Sequence, residues 1–371
     1  MDDFDPILFL SMFYPGGRFN KAEHLGGSGS WRSSWRCERV RPLPGDKKDA
    51  IPLSVIVKYT EDFTARVPGG IAVVWDSPCL SDIEAKVLEL FSGPHGTLHH
   101  LNSPECVRVP RLLRKETTRN ARVIEDLGRH MIALDRLFTP EFMQDCKIPI
   151  SLVEDRCGEI GRRIGTFMGS LNTRETKKVL RREGILPKVI VGDDDAIERV
   201  TKWITNRLSQ CDPEKAAREL TCHNEVFGGT MARFLAYFHV LLLSQPRGSK
   251  LYQAVWAFVD EVTKTFAKVS ETDLAVSKYL GWKYIGWVKE TGVFGEFRSA
   301  LIAHGMWIIY FALGERKRVG GIADTIAWEG IRYVERAQDS AGKMMEELLW
   351  PEDKRLGVMR RLFGLPEEYQ V

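Results

Sequence analysis

Long apolar runs, paired cysteines and a lopsided charge are all missing from this chain, and each absence removes a class of function. The longest apolar stretch, Phe234–Leu243, contains a histidine and falls well short of the roughly 20 residues a bilayer-spanning helix needs. No membrane partner is expected. The seven cysteines (37, 79, 106, 146, 157, 211, 222) form no CxxC pair and have no regular spacing. With the acidic start Met1-Asp2-Asp3-Phe4-Asp5, that argues for reduced thiols and a cytoplasmic location. A formal charge of +3 is too small to mark a nucleic-acid binder, so any basic partner surface must be local; a DNA partner is not expected. Internal repeats and low-complexity tracts are also missing.

What is present is ordinary in bulk and unusual in order. The 371 residues are 44% hydrophobic and 28% charged, enough for one large domain or two lobes with sizeable cores. The organising stretch is Leu25–Lys58, in which Gly26-Gly27-Ser28-Gly29 precedes Trp31-Arg32-Ser33-Ser34-Trp35-Arg36. A Pro/Gly/Asp/Lys connector follows, then the strand Leu53–Tyr59 carrying Lys58. Glycines let a backbone approach a phosphate closely, and a lysine on the next strand neutralises it. The bland alternative is a flexible hairpin without a ligand.

The rest of the chain lays out in the same direction. Ile7–Tyr14 is a short apolar helix or strand, closed by Pro15-Gly16-Gly17. Ser81-Asp82 is expected to cap a helix over Ile83–Phe91 whose Glu84 or Glu89 faces Lys58. A loop with His95, His99 and His100 lacks a carboxylate or cysteine at ligand spacing and is expected to be exposed. Val107–Leu113 and Ala121–Ile124 are expected strands joined by a charged turn at Arg114–Asn120, the second running into Glu125-Asp126-Leu127-Gly128. This order (glycine hairpin, strand lysine, helix glutamate, strand pair, Glu-Asp-Leu-Gly) resembles the small lobe of the aminoglycoside phosphotransferase and methylthioribose kinase-like family. The resemblance covers about the first 170 residues and rests on Val109–Leu113 and Val123–Gly128 among others. It implies an α+β (α/β) chain of two lobes, a β-rich small lobe at 1–128 and a helical large lobe at 129–371. It also implies a nucleotide pocket drawing on Gly26, Gly27, Ser28, Gly29, Lys58, Glu84, Glu125 and Asp126.

From about Ser151 the pattern turns helical. Apolar residues at 153, 157, 160, 164, 167, 168 and 171 form a 3.6-residue stripe over Leu152–Leu171. Arg174, Lys177, Lys178, Arg181 and Arg182 then fall at helical spacing. Further helices are expected near 195–210, 213–222, 226–244, 249–269, 273–291, 295–313 and 320–348, the last with Gly320–Ala337 similar to the family's late Trp-Glu-Gly helix.

The resembled kinases need a His-Gly-Asp type catalytic loop, a downstream asparagine and a metal-holding aspartate strand. None is in the sequence; the nearest approximations are Gly192-Asp193-Asp194-Asp195 and His223-Asn224-Glu225. Phosphoryl transfer would lack its clamps. Three functions follow. The first is a repurposed enzyme. The concrete analogy is with the arginine-containing cyclodipeptide synthases of fungi, and it rests on chain size and the lost clamps, with no signature motif behind it. Its partners would be aminoacyl-tRNA and an amino-acid substrate, with no metal and no cofactor. Asp193, Asp194, His223 and Glu225 would supply proton transfer and an acidic pocket for an arginine side chain. Trp31, Arg32, Trp35, Arg36 and the cations of 174–182 would meet RNA by stacking and counterion release. The second is a nucleotide-binding pseudokinase, and the third an active small-molecule kinase using ATP and magnesium, with Asp193 as base and Glu225 as metal ligand. Each residue also has a plainer role: the aspartates as a helix cap, the basic run as a solvated face, the tryptophans as strand packing, and Trp282, Trp287, Trp307 and Trp328 as core or pocket wall.

Overall fold

A computed structural model describes residues 4–15, 18–25, 32–39, 52–60, 64–66, 72–74, 77–92, 95–102, 107–116, 120–145, 147–185, 230–270, 304–314 and 319–336. The chain has mixed α and β content, with a small antiparallel sheet near its start and a mostly helical remainder. It divides into two compact units, 1–131 with 182–185, and 132–181 with 186–371.

The first unit opens with α1 (Pro6–Phe13), which settles the helix-or-strand choice at this apolar run. Asp5 caps it, its carboxylate accepting from the Ile7 and Leu8 N–H groups at 2.8 and 3.1 Å. Pro6 at the first helical position sacrifices only an N–H that has no helical partner. Five strands follow: β1 (Phe19–His24), β2 (Arg32–Arg39), β3 (Ser54–Thr60), then β6 (Leu112–Glu116) and β7 (Ala121–Glu125), in the order β1-β2-β3-β7-β6 with every pair antiparallel. β1 and β2 flank the glycine-rich stretch and pair up to His24↔Trp35. A separate two-stranded sheet joins β4 (Thr64–Arg66) to β5 (Ala72–Val74).

Period-two alternation gives the sheet two unlike faces. Cys37, Val55, Val57, Ala121 and Val123 are all buried on one side, and α1 covers them with Phe9 and Leu10. Phe4 stacks on Tyr59 there at 4.2 Å. The other side is mixed: Ser34, Lys58, Arg122 and Lys115 form a polar row in register across four adjacent strands, next to an apolar row of Ile56, Ile124 and Leu112.

Two expected boundaries move. The strand expected at 107–113 begins at Leu112, because Val107 makes only an isolated bridge to Asn102, and it continues through Glu116 into the expected turn. The helix expected to start after Ser81-Asp82 is α2 (Ser77–Ser92), which places those residues inside its second turn. Ser77-Pro78 is the earlier start signal, with proline in a first turn where its missing N–H is harmless. His95, His99 and His100 are exposed, as expected.

The second unit contains α3 (Leu134–Leu137), α4 (Pro140–Asp145), α5 (Ile150–Asn172), all but the last residue of α6 (Arg174–Arg182), α7 (Thr230–Ser244), α8 (Lys250–Val269), a helix at 304–314 and another at Ala323–Arg336. α5 packs along α8 through Gly161, Gly165 and Gly169. A methyl group at Gly161 would stand 2.4 Å from the Phe258 carbonyl oxygen, and one at Gly165 would stand 2.5 Å from that of Val262. The seam is therefore glycine, with Ile160, Ile164 and Met168 half-buried beside it. Phe138, Phe238 and Phe258 meet at the core, ring centroids 4.7 to 5.5 Å apart. The helices expected at 195–210, 213–222 and 273–291 lie outside the described residues. No described helix is long and apolar enough to cross a membrane.

Candidate functional site

Lys58 sits on β3, and the alternation that buries Val57 turns its side chain to the mixed face of the sheet. α2 crosses that face and brings Glu84 to it. Lys58 Nζ donates to Glu84 Oε1 at 2.7 Å, the pairing anticipated from the order of strand and helix. The second oxygen of Glu84 accepts from Arg122 Nη2. Arg122 is directly opposite Lys58 in the β3–β7 register. The lysine and glutamate side chains remain 34% and 24% exposed, whereas Arg122 is 2% exposed. A carboxylate thus stands between a cation that reaches solvent and one that does not.

Arg122 is invisible to motif reasoning. The signal in the sequence is its place in Ala121-Arg122-Val123-Ile124, a guanidinium inside an otherwise apolar strand. Buried charge of that kind demands a hydrogen-bonded counter-ion.

Two carboxylates at the end of β7 serve neighbouring chain. Asp126 takes a two-pronged contact from Arg36, Nε to Oδ2 at 2.8 Å and Nη2 to Oδ1 at 3.1 Å, and accepts from the Gly128 N–H at 3.0 Å. Burial works against its charge, but hydrogen bonds from Arg36, Gly128 and Ser54 outweigh it and hold the carboxyl below the usual range. Arg36 also donates to the Gly128 carbonyl. Its guanidinium is thereby turned into the sheet rather than outward beside Trp35. Trp35 lies on the opposite, apolar face against Phe4 and His24, centroids 5.4 and 5.5 Å away. Glu125 accepts from Arg108 Nη2 at 2.6 Å and from the Arg111 N–H at 3.2 Å, tying the approach to β6 onto β7. Arg32 lies in β2.

α6 begins where Thr173 stops α5 and caps the next helix, its hydroxyl accepting from the Thr176 N–H at 3.3 Å. Thr176 is the buried residue of the helix. Arg174, Lys178, Arg181 and Arg182 are exposed and Lys177 is half-buried. Lys178 pairs with Glu175 at 2.8 Å and Arg182 with Glu183 at 3.3 Å. The Lys178 hydrogen bond is what holds the Glu175 carboxyl below its ordinary value. Cations outnumber carboxylates along this surface, which suits a polyanion.

Gly26, Gly27, Ser28, Gly29, Trp31, Asp193, Asp194, His223 and Glu225 lie outside the described residues. Among the described residues no three His, Cys, Asp or Glu side chains gather so as to hold a metal ion. No protein-family model matches the chain, and no curated protein matches it.

Proposed function

We propose that this chain is a biosynthetic enzyme on a kinase-like, two-lobed scaffold that has given up phosphoryl transfer, and that it joins arginine to a second amino acid from aminoacyl-tRNAs in the cytoplasm. The observation that carries the reading is the exposed cationic surface of α6, which offers charge to an RNA backbone. The carbonyl to be attacked arrives already activated as an ester. The amine of one aminoacyl group attacks the ester carbonyl of the other and expels a tRNA hydroxyl. The free amine of the resulting dipeptidyl ester then attacks its own ester, closing the ring and releasing the second tRNA. Both steps need positioning and proton transfer, and neither needs a phosphate clamp. Arginine as substrate fits an acidic patch such as Asp193-Asp194, by charge complementarity alone.

Expression in a bacterial host, with mass spectrometry of the medium, tests this directly. New arginine-containing cyclic dipeptides are expected, and they should vanish when the α6 cations are reversed to glutamate or when Asp193 and Asp194 become alanine. The same product from the α6 variant would sink the RNA role. A second reading, a nucleotide-binding pseudokinase, is favoured by the Lys58–Glu84 pair. It predicts no new product and a rise in melting temperature with ATP that does not depend on magnesium.

A further inference from the structure

We propose that β1 is a self-complementary edge: it pairs antiparallel with β1 of a second copy of this chain, about a two-fold axis at Ala22.

Among the described residues β1 pairs with β2 alone, at one end of the order β1-β2-β3-β7-β6. The Leu25 N–H donates to the Ser34 carbonyl at 2.8 Å, so the backbone of Leu25 faces β2. By alternation Glu23 and Lys21 face β2 as well, while the N–H and C=O of Ala22 and His24 face away. Both Ala22 and His24 are exposed. An edge of this kind templates pairing with another chain unless something blocks it. A lone lysine commonly provides the block, and the Lys21 side chain is 61% exposed. Here a carboxylate, Glu23, follows two residues later on the same face of the sheet.

That spacing fits a copy of the same strand and no shifted register. With the axis at Ala22, Lys21 stands opposite the partner's Glu23, and Glu23 opposite the partner's Lys21. These are the non-hydrogen-bonded positions, where side chains approach most closely. Ala22 brings no bulk to the axis and exchanges N–H···O bonds with its copy. Moving the axis one residue either way, to Lys21 or to Glu23, would set like charges face to face. Lys21 is free to turn across the axis, since its own carboxylate partner, Glu38, is 3.7 Å away. The same axis keeps both α1 helices on one side of the joined sheet, because α1 packs on β1. Leu8 and Met12 of α1 are 63% and 46% exposed, and they give that side the apolar surface that a bare strand pair lacks.

Sedimentation velocity of the full chain at low salt, over a range of concentrations, tests the pairing. The wild type should pass from monomer to dimer as concentration rises. Ala22→Pro removes an outward N–H and leaves the β1–β2 ladder whole, so it should weaken the dimer about tenfold or more at an unchanged melting temperature. Lys21→Glu and Glu23→Lys should each weaken it to a similar degree, about tenfold, by facing like charges. Mixed in equal amounts, those two variants should dimerise again, because every facing pair is then opposite in charge. Loss of an ion pair inside one copy would persist in the mixture, so recovery reads the contact between copies. A wild type that stays monomeric, or one that builds open-ended assemblies, would overturn the proposal. So would a dimer indifferent to Ala22→Pro, or a mixture no tighter than its parts. Where Ala22→Pro does not fold, the mixture decides.

Discussion

Arg122 occupies a position where a central strand has little reason to place a charge, and its burial decides what Glu84 is worth. Removing the carboxylate takes a counter-ion from a buried guanidinium that shares its row with two lysines. Glu84→Gln should therefore cost about 3 kcal/mol in urea unfolding, the lower end for breaking a buried pair because Glu84 is partly exposed. Lys58→Met should cost about 1 kcal/mol or less, since an exposed ammonium pair contributes little. The reverse order would mean that the carboxylate chiefly serves Lys58. On the other face, burial pushes the Cys37 thiol up to about 12. It should resist iodoacetamide at pH 8 in the native protein and react once the chain is unfolded, read by peptide mass mapping. Early labelling would mean that α1 lifts from the sheet.

At the scale of elements, the α5–α8 seam makes its own forecast. Gly158 has only the Glu261 Cγ at 3.4 Å from a notional methyl group, while Gly161 and Gly165 face carbonyl oxygens well inside contact distance. Gly158→Ala should be neutral or stabilise by up to about 1 kcal/mol, through helix propensity. Gly161→Ala and Gly165→Ala should each destabilise by about 1–3 kcal/mol, because backbone must move. Equal melting temperatures for all three variants would refute the close approach. The apolar stripe in the sequence reveals this helix, but it points to Ile160, Ile164 and Met168 as the seam. A glycine has no hydrophobic signature, so a face made of glycines reads as blank. α6 and α8 are legible for the opposite reason, each having one strongly marked side. Lys58–Glu84 is legible from element order, whereas Glu84–Arg122 joins positions 38 apart with no periodicity to announce it. The start of α2 is easily misread because two serine-containing signals lie four residues apart, and the earlier one forms.

At the scale of the molecule, the two units should respond to acid at different points. In the helical unit His239 Nδ1 and His304 Nε2 lie 2.9 Å apart, both buried, with the Tyr333 ring edge-on to each. Burial, and then the charge of His304, lower the His239 value to about 3. The unfolded imidazole titrates near 6.5, so the folded unit resists a proton that the unfolded chain accepts. Stability is full above that pH and declines as pH falls towards 3, by about 1.4 kcal/mol per unit from this group. In the sheet unit, Asp126 is held below the usual carboxylate range, so its contribution persists to lower pH and fades only as the pH falls through that range. Acid unfolding followed by exchange mass spectrometry should show α7 and the 304–314 helix loosening before β2, β3 and β7. His239→Gln should remove much of the early phase. Simultaneous loss across both units would contradict the assignment.

The unlike faces of the five-stranded sheet also make it a comparator of solvent conditions. Sulfate is excluded from apolar surface and tightens whatever hides it, so the α1 side should gain protection as sulfate is added. Chloride at the same ionic strength does little there but screens the partly exposed Lys58–Glu84 contact. Chloride should thus loosen the Lys58–Glu84 contact more than the α1 side, whereas sulfate should tighten both helices, since α2 also buries Ala85, Leu88 and Phe91.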